Sequence, residues 1–403
     1  MILRRRDFLA GALAAGGGLL TSRVVFAGSG ASSEARFVFV ILRGALDGLA
    51  AVPPYGDPDY TRLRGELAFG APGTPGAVLK LDSQFGLHPS LAFLGESYTA
   101  RELIVFHAIA SPYRERSHFD GQDVLENGFA QPHAVQTGWL NRALAAVPAR
   151  ERKELGVALG QNVPLVMRGP AAVASWSPSK LAALDEDTLA RITDLYAHDP
   201  LLSQRLADAV TADAIATAGS NAMDSSAPVR GNARYLEVVR ATASFLKRDD
   251  GPQVAVFDTT GWDTHANEGA AQGQLAYRLA ALDSGLRELK QQLGAAWGNT
   301  VVLLATEFGR TAAINGTRGT DHGTASAAFL LGGAVRGGRV IADWPGLSSG
   351  ALYQNRDLKP TRDIRSVMKG VLGEHLRVTG AALETSIFPD SGAARATAGL
   401  TRA

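Results

Sequence analysis

Residues 36–48 read RFVFVILRGALDG. From Phe37 to Leu42 no position is polar. A run of this kind leaves no face for solvent and belongs to a strand covered on both sides, as in a parallel sheet flanked by helices. Comparable runs recur at 103–110 (LIVFHAIA), 253–258 (QVAVFD), 300–306 (TVVLLAT) and 327–332 (AAFLLG), with a weaker one within 156–165. Helical spacing lies between them. Ser117 to Gly128 opens a helix after the break at Pro112, residues 178–247 carry apolar positions three and four apart, and 272–293 form a long amphipathic helix. Strands alternating with helices predict an α/β fold with a mainly parallel sheet flanked by helices.

No repeat or low-complexity linker divides the chain. Residues 70–76 are a turn-rich loop, and 219–229 are the most linker-like stretch. We expect one domain over 34–403 with a helical insertion at about 178–250. Apolar residues make up 46 % of the 403, enough for a large core. Lys and Arg number 40 against 39 Asp and Glu, which gives no reason to expect nucleic acid. The absence of cysteine excludes disulfides, zinc–thiolate sites, iron–sulfur clusters and a cysteine nucleophile.

Residues 1–27 read as an address. Arg4 to Arg6 form a charged segment, 8–20 are apolar, and Val25-Phe26-Ala27 offers small residues for cleavage. Arg5-Arg6-Asp7-Phe8-Leu9 matches the twin-arginine pattern of folded-protein export. The apolar stretch is too short to span a bilayer, which argues for a cleaved signal over an anchor. Cleavage after Ala27 removes four arginines and Asp7 and takes the formal charge from +1 to −2. The expected location is periplasmic or secreted. The expected partners are the export machinery and a small anionic ester, with no membrane contact after cleavage.

In open α/β sheets, ligands bind beyond the carboxyl ends of the strands. Here the first strand leads to Asp47, the second to Ser117-His118, the third to Asp263-Thr264-His265, and the fourth to Glu307, with Asp321-His322 following. Asp, Glu and neutral His suit Zn, Mn, Mg or Ca. Singly, each has a structural alternative: Asp47 a turn or helix cap, Asp263-Thr264-His265 a capping turn, Asp321 an orienting group for His322, and Glu307 a buried partner of Arg310. Four strand ends carrying the same chemistry favour a metal or acid–base site. Gly346-Leu347-Ser348-Ser349-Gly350 fits a nucleophile-elbow pattern but lacks the strand and helix that this requires, so it reads as a loop. No dinucleotide-binding glycine motif follows any of the strands.

Several long segments (FVFVILRGALDGL, VPPYGDPDYTRLR, RSHFDGQDVLENG, TGWLNR, FDTTGWDTHANEG, LLATEFGRTAAINGTRGTDHG and FLLGGAVRGG) resemble the exported bacterial family catalogued as domain of unknown function 1501. The order of elements resembles, more distantly, the alkaline phosphatase and sulfatase superfamily. That resemblance implies a metal-dependent phosphate or sulfate ester hydrolase with one or two divalent ions. Ser117 takes the nucleophile's place, and His118 is a candidate acid or base. Asp47, Asp263, His265, Glu307, Asp321 and His322 are the candidate ligands. The chain departs from the pattern at Phe308, where an Asp-His pair would place a histidine. Either Glu307-Phe308 or Asp321-His322 can align with that pair, and in both cases one metal position is depleted. A binding protein with a retired site is therefore the alternative. Arg43, Arg114 and Arg116 are candidates for gripping an oxyanion or simple surface charges.

Overall fold

The computed structural model describes residues 35–74, 76–147, 155–178, 186–217 and 232–402. The leader at 1–27 and the linker-like stretch at 219–229 lie outside the described residues. In chain order the strands are β1 (Arg36–Arg43), β2 (Leu79–Lys80), β3 (Gly86–Leu87), β4 (Leu103–Ala110), β5 (Gly156–Leu159), β6 (Val173–Trp176), β7 (Val254–Thr260), β8 (Thr300–Ala305), β9 (Ser326–Leu331), β10 (Arg339–Ile341) and β11 (Arg362–Asp363). Strands β2 and β3 make a small antiparallel pair. The other nine form one sheet in the order β10-β4-β9-β8-β1-β7-β5-β6, with β11 also on β4. All pairings are parallel except those of β9, which runs against both β4 and β8. This is the α/β architecture, a mainly parallel sheet flanked by helices.

The central strand β1 shows why its sequence lacks alternation. Phe37, Phe39 and Ile41 enter one core with Trp139, Leu140 and Val367. Val38, Val40 and Leu42 enter the other with Leu275, Leu279 and Leu286. With both faces buried, every position must be apolar, and each such side chain contributes about 1.5–3 kcal/mol on burial. The helix Gln274–Leu293 supplies the second core through Leu275, Leu279, Leu282, Leu286, Leu289 and Leu293, three or four residues apart. Helices Glu186–Tyr196, Pro200–Thr217 and Asn232–Lys247 follow β6 in the region read as helical. Among the described residues, no helix is long and apolar enough to cross a membrane.

The weaker strand expected within 156–165 is β5; Gly160 follows it, and Pro164 opens a single 3-10 turn, Leu165–Met167. Five further strands lie outside the sequence reading. Strands β2, β3, β6, β10 and β11 are two to four residues long, too short to show a period.

The reversal of β9 has a consequence for the site. Antiparallel neighbours need only a loop between them, not a crossover. Strand β8 ends at Ala305 and β9 begins at Ser326. Residues 306–325 therefore stay at the edge where β1, β7 and β8 end.

Candidate metal centre

Three loops meet at that edge. Gly44, just past β1, has φ +118°, and a Cβ there would come within 2.9 Å of the Asp263 amide nitrogen. Its own N–H donates to Glu307 Oε1 at 2.8 Å. A glycine thus lets the loops after β1, β7 and β8 touch. Beyond β4, Arg116 has φ +62°, and Ser117 then caps the helix His118–Asn127 by position, without a side-chain capping bond.

The loops bring four donors together. His118 Nε2 lies 3.0 Å from His322 Nε2 and 3.4 Å from Asp263 Oδ2. His265 Nε2 lies 3.0 Å from His322 Nε2 and 3.0 Å from Asp263 Oδ1. His322 Nε2 is 3.2 Å from Asp263 Oδ1. His118, Asp263 and His322 form a group whose ligand atoms all lie within 4.8 Å of one another, close enough to hold a metal ion.

Each imidazole has an acceptor behind it. His118 Nδ1 faces Glu307 Oε1 at 2.7 Å, His322 Nδ1 the Arg116 carbonyl at 3.0 Å, and His265 Nδ1 Asp321 Oδ1 at 3.3 Å. These partners place the ring proton on Nδ1 in the neutral imidazoles and leave Nε2 as a lone pair. Bare Nε2 atoms 3.0 Å apart, beside a carboxylate, repel one another unless a proton or cation stands between them. The donor set fits a borderline metal ion on this ground.

The charges around the cluster are set by specific partners. Burial pushes the Asp263 carboxyl up, but the buried guanidinium of Arg310 bonds to it and holds it below its ordinary value. Burial likewise opposes ionisation of Glu307, yet bonds from His118, Gln122 and the Gly44 N–H keep it lowered. Glu307 in turn raises His118. Burial lowers His322, with His118 adding to the effect. Phe308 packs beneath both rings, 4.9 Å from His118 and 5.4 Å from His322.

The structure gathers His118, Asp263, His265 and His322 and sorts the remaining candidates outward. Asp47 is buried as the N-cap of the four-residue helix Gly48–Ala51, with Oδ1 accepting from Leu49 N and Ala50 N and Oδ2 held by Arg64 at 2.5 Å. Glu307 and Asp321 stand behind imidazoles as orienting groups, and Asp321 also accepts from Asn315 at 3.0 Å. Ser117 precedes His118 in the chain at the helix start. Arg310 bonds Asp263, not Glu307.

His118, read from the sequence as an acid or base, is placed among the possible ligands, and its Ser-His position at a helix start was the available signal. Of the three arginines considered for an oxyanion, Arg43 is tied to Asp258 and Glu126, Arg116 to Asp357 and Gln354, and Arg114 to the Ser111 and Tyr113 carbonyls.

Among solved structures, the chain is similar to the phosphonate monoester hydrolase of Agrobacterium radiobacter, at 9 % identity over 85 % of this chain and 74 % of that one, TM-score 0.43. It is also similar to the alkaline phosphatase of the Antarctic bacterium TAB5, at 12 % identity over 77 % and 95 %, TM-score 0.32. A third is BT1596, a 2-O GAG sulfatase, at 10 % identity over 74 % and 64 %, TM-score 0.31. At such identities and TM-scores the likeness says nothing of activity. No curated protein matches the sequence. The family model described as protein of unknown function (DUF1501) matches residues 105–387, well over half of the chain, and the protein belongs to that family.

Proposed function

We propose that the protein is an exported, metal-dependent hydrolase of phosphate or sulfate esters, holding one zinc ion among His118, Asp263, His265 and His322. The observation that carries this reading is the convergence of the three Nε2 atoms, each ring turned by an acceptor at Nδ1. Imidazoles suit zinc better than magnesium or calcium, which prefer oxygen ligands. Asp47 and Glu307 are committed to Arg64 and His118, which favours one ion over two.

When bound, the ion would polarise an ester oxygen and lower the pKa of a neighbouring hydroxyl. Ser117 is the proposed nucleophile. Its hydroxyl would pass its proton to water as Oγ bonds to phosphorus or sulfur and the bond to the leaving alcohol oxygen breaks, that oxygen taking up a proton from water. A water molecule would then attack the serine ester, releasing phosphate or sulfate and returning a proton to Oγ. The first-turn amides of the helix His118–Asn127 have no side-chain cap from Ser117 and would hold anionic oxygens.

Elemental mass spectrometry of the folded protein, with a panel of phosphate and sulfate monoesters, tests this. We expect about one zinc per chain, lost in His322→Ala, and turnover lost in Ser117→Ala with metal retained. No metal after reconstitution would sink the proposal. Phe308, buried against two of the rings, favours one second reading, a binding protein; anion binding without turnover by metal-loaded protein would select it. For export, lysine at both Arg5 and Arg6 is expected to hold the precursor in the cytoplasm.

A further inference from the structure

A cleft of about 510 Å³ opens beside the loop that carries Asp263, lined by Tyr235, Thr260, Trp262 and Arg278 among others. A second cleft of about 490 Å³ shares Leu159, Gly160, Gln161 and Asp258 with it and extends to Phe119, the neighbour of His118. The two clefts meet at those four residues, and their linings include Trp262 and Phe119, the chain neighbours of Asp263 and His118; each has a volume suited to a small organic ligand.

The charges in these clefts are unequal. Arg43 is shared by two carboxylates, Asp258 at 2.5 Å and Glu126 at 2.7 Å. Arg168 donates to the Val163 carbonyl and Arg234 to that of Pro178. Arg278 has no hydrogen-bond or ion-pair partner among the described residues. The side chain is exposed. It lies against the bare Cα of Gly261, where φ is +92° and a Cβ would come within 2.6 Å of Arg278 Cζ. Gly261 is two residues before Asp263, so the seat is within about 8 Å of chain from that residue, at 3.8 Å per Cα step. A solvent-exposed guanidinium that rests on backbone, lines a cleft and lacks a counter-ion has its paired N–H groups available to an anion.

We propose that Arg278 is a specificity-determining residue that binds a second anionic group on the substrate, so that the preferred ester carries a carboxylate, sulfate or phosphate on its alcohol portion. This rests on the hydrolase reading for the position of the first anion, and the test separates the two.

The probes are benzylphosphonate and 4-carboxybenzylphosphonate, which cannot be turned over as esters, titrated calorimetrically into zinc-loaded protein at low salt. The carboxylated probe is expected to bind about 5–10-fold tighter to the wild type. Arg278→Gln should abolish that advantage without weakening benzylphosphonate, and Arg278→Lys should keep part of it. Added salt should reduce it. Equal affinity of the two probes for the wild type, no binding of either, or an advantage undiminished in Arg278→Gln would overturn the proposal. Failure of the hydrolase reading appears separately, as absent ester turnover with the probe difference intact.

Discussion

Arg64 Nη2 lies 2.5 Å from Asp47 Oδ2, and both side chains are essentially closed to solvent. This pair decides the role of the first strand's carboxylate. Asp47 spends one oxygen on the helix that it caps and the other on Arg64, leaving none to turn toward the histidines. Removing one partner of a buried ion pair costs about 3–5 kcal/mol, because the other charge is left uncompensated. Asp47→Asn is therefore expected to lower the unfolding free energy by about that amount while leaving the metal content of the folded fraction unchanged. Urea unfolding and elemental analysis read the two effects; loss of metal without loss of stability would reverse the assignment.

Glu307 should act on the metal through His118. It is buried, bonded to the ring at 2.7 Å and further held by Gln122 and the Gly44 N–H. Loss of such an outer partner typically weakens metal binding about 10–100-fold. Glu307→Gln keeps the shape and should show that loss in a zinc competition with a chelator. An unchanged zinc affinity would mean that Glu307 serves packing alone.

Gly44 is the position where shape alone controls the site. Any side chain there must adopt φ +118° and press on the Asp263 amide. Gly44→Ala should cost about 1–3 kcal/mol in backbone strain and displace Asp263, weakening zinc binding as well. Thermal unfolding with and without zinc measures both.

Glu268 sets a pH dependence. Burial, together with the Asp47 carboxylate, pushes its carboxyl up to about 8, although hydroxyls of Thr264 and Thr320 donate to Oε2. The unfolded chain has the ordinary value of 4.5. Between these values the folded state holds a proton that the unfolded state has lost. Its contribution is complete below about 4.5 and fades as pH rises through about 8. Wild-type stability should thus fall between pH 5.5 and 8.5 by more than that of Glu268→Gln, compared by urea midpoints. A steeper fall in the variant would contradict the sign.

Sequence alone determined the sheet and the edge at which the polar residues collect. A strand buried on both faces is apolar, so β1 and β8 are legible as uninterrupted runs and β4 as one broken only by His107, whose ring bonds the Val52 carbonyl, and the residues just beyond them are legible as edge residues. The shorter strands carry too few residues for any pattern.

Tertiary structure alone decided which polar residues face one another. Asp47 met Arg64 across 17 positions, Arg310 turned to Asp263 across 47, and His118 met Glu307 across 189. Hydrogen bonds and charges act over a few ångströms of space, and separation along the chain does not encode that distance. The roles of cap, orienting group and metal-facing donor were therefore assigned only when the loops closed on one another.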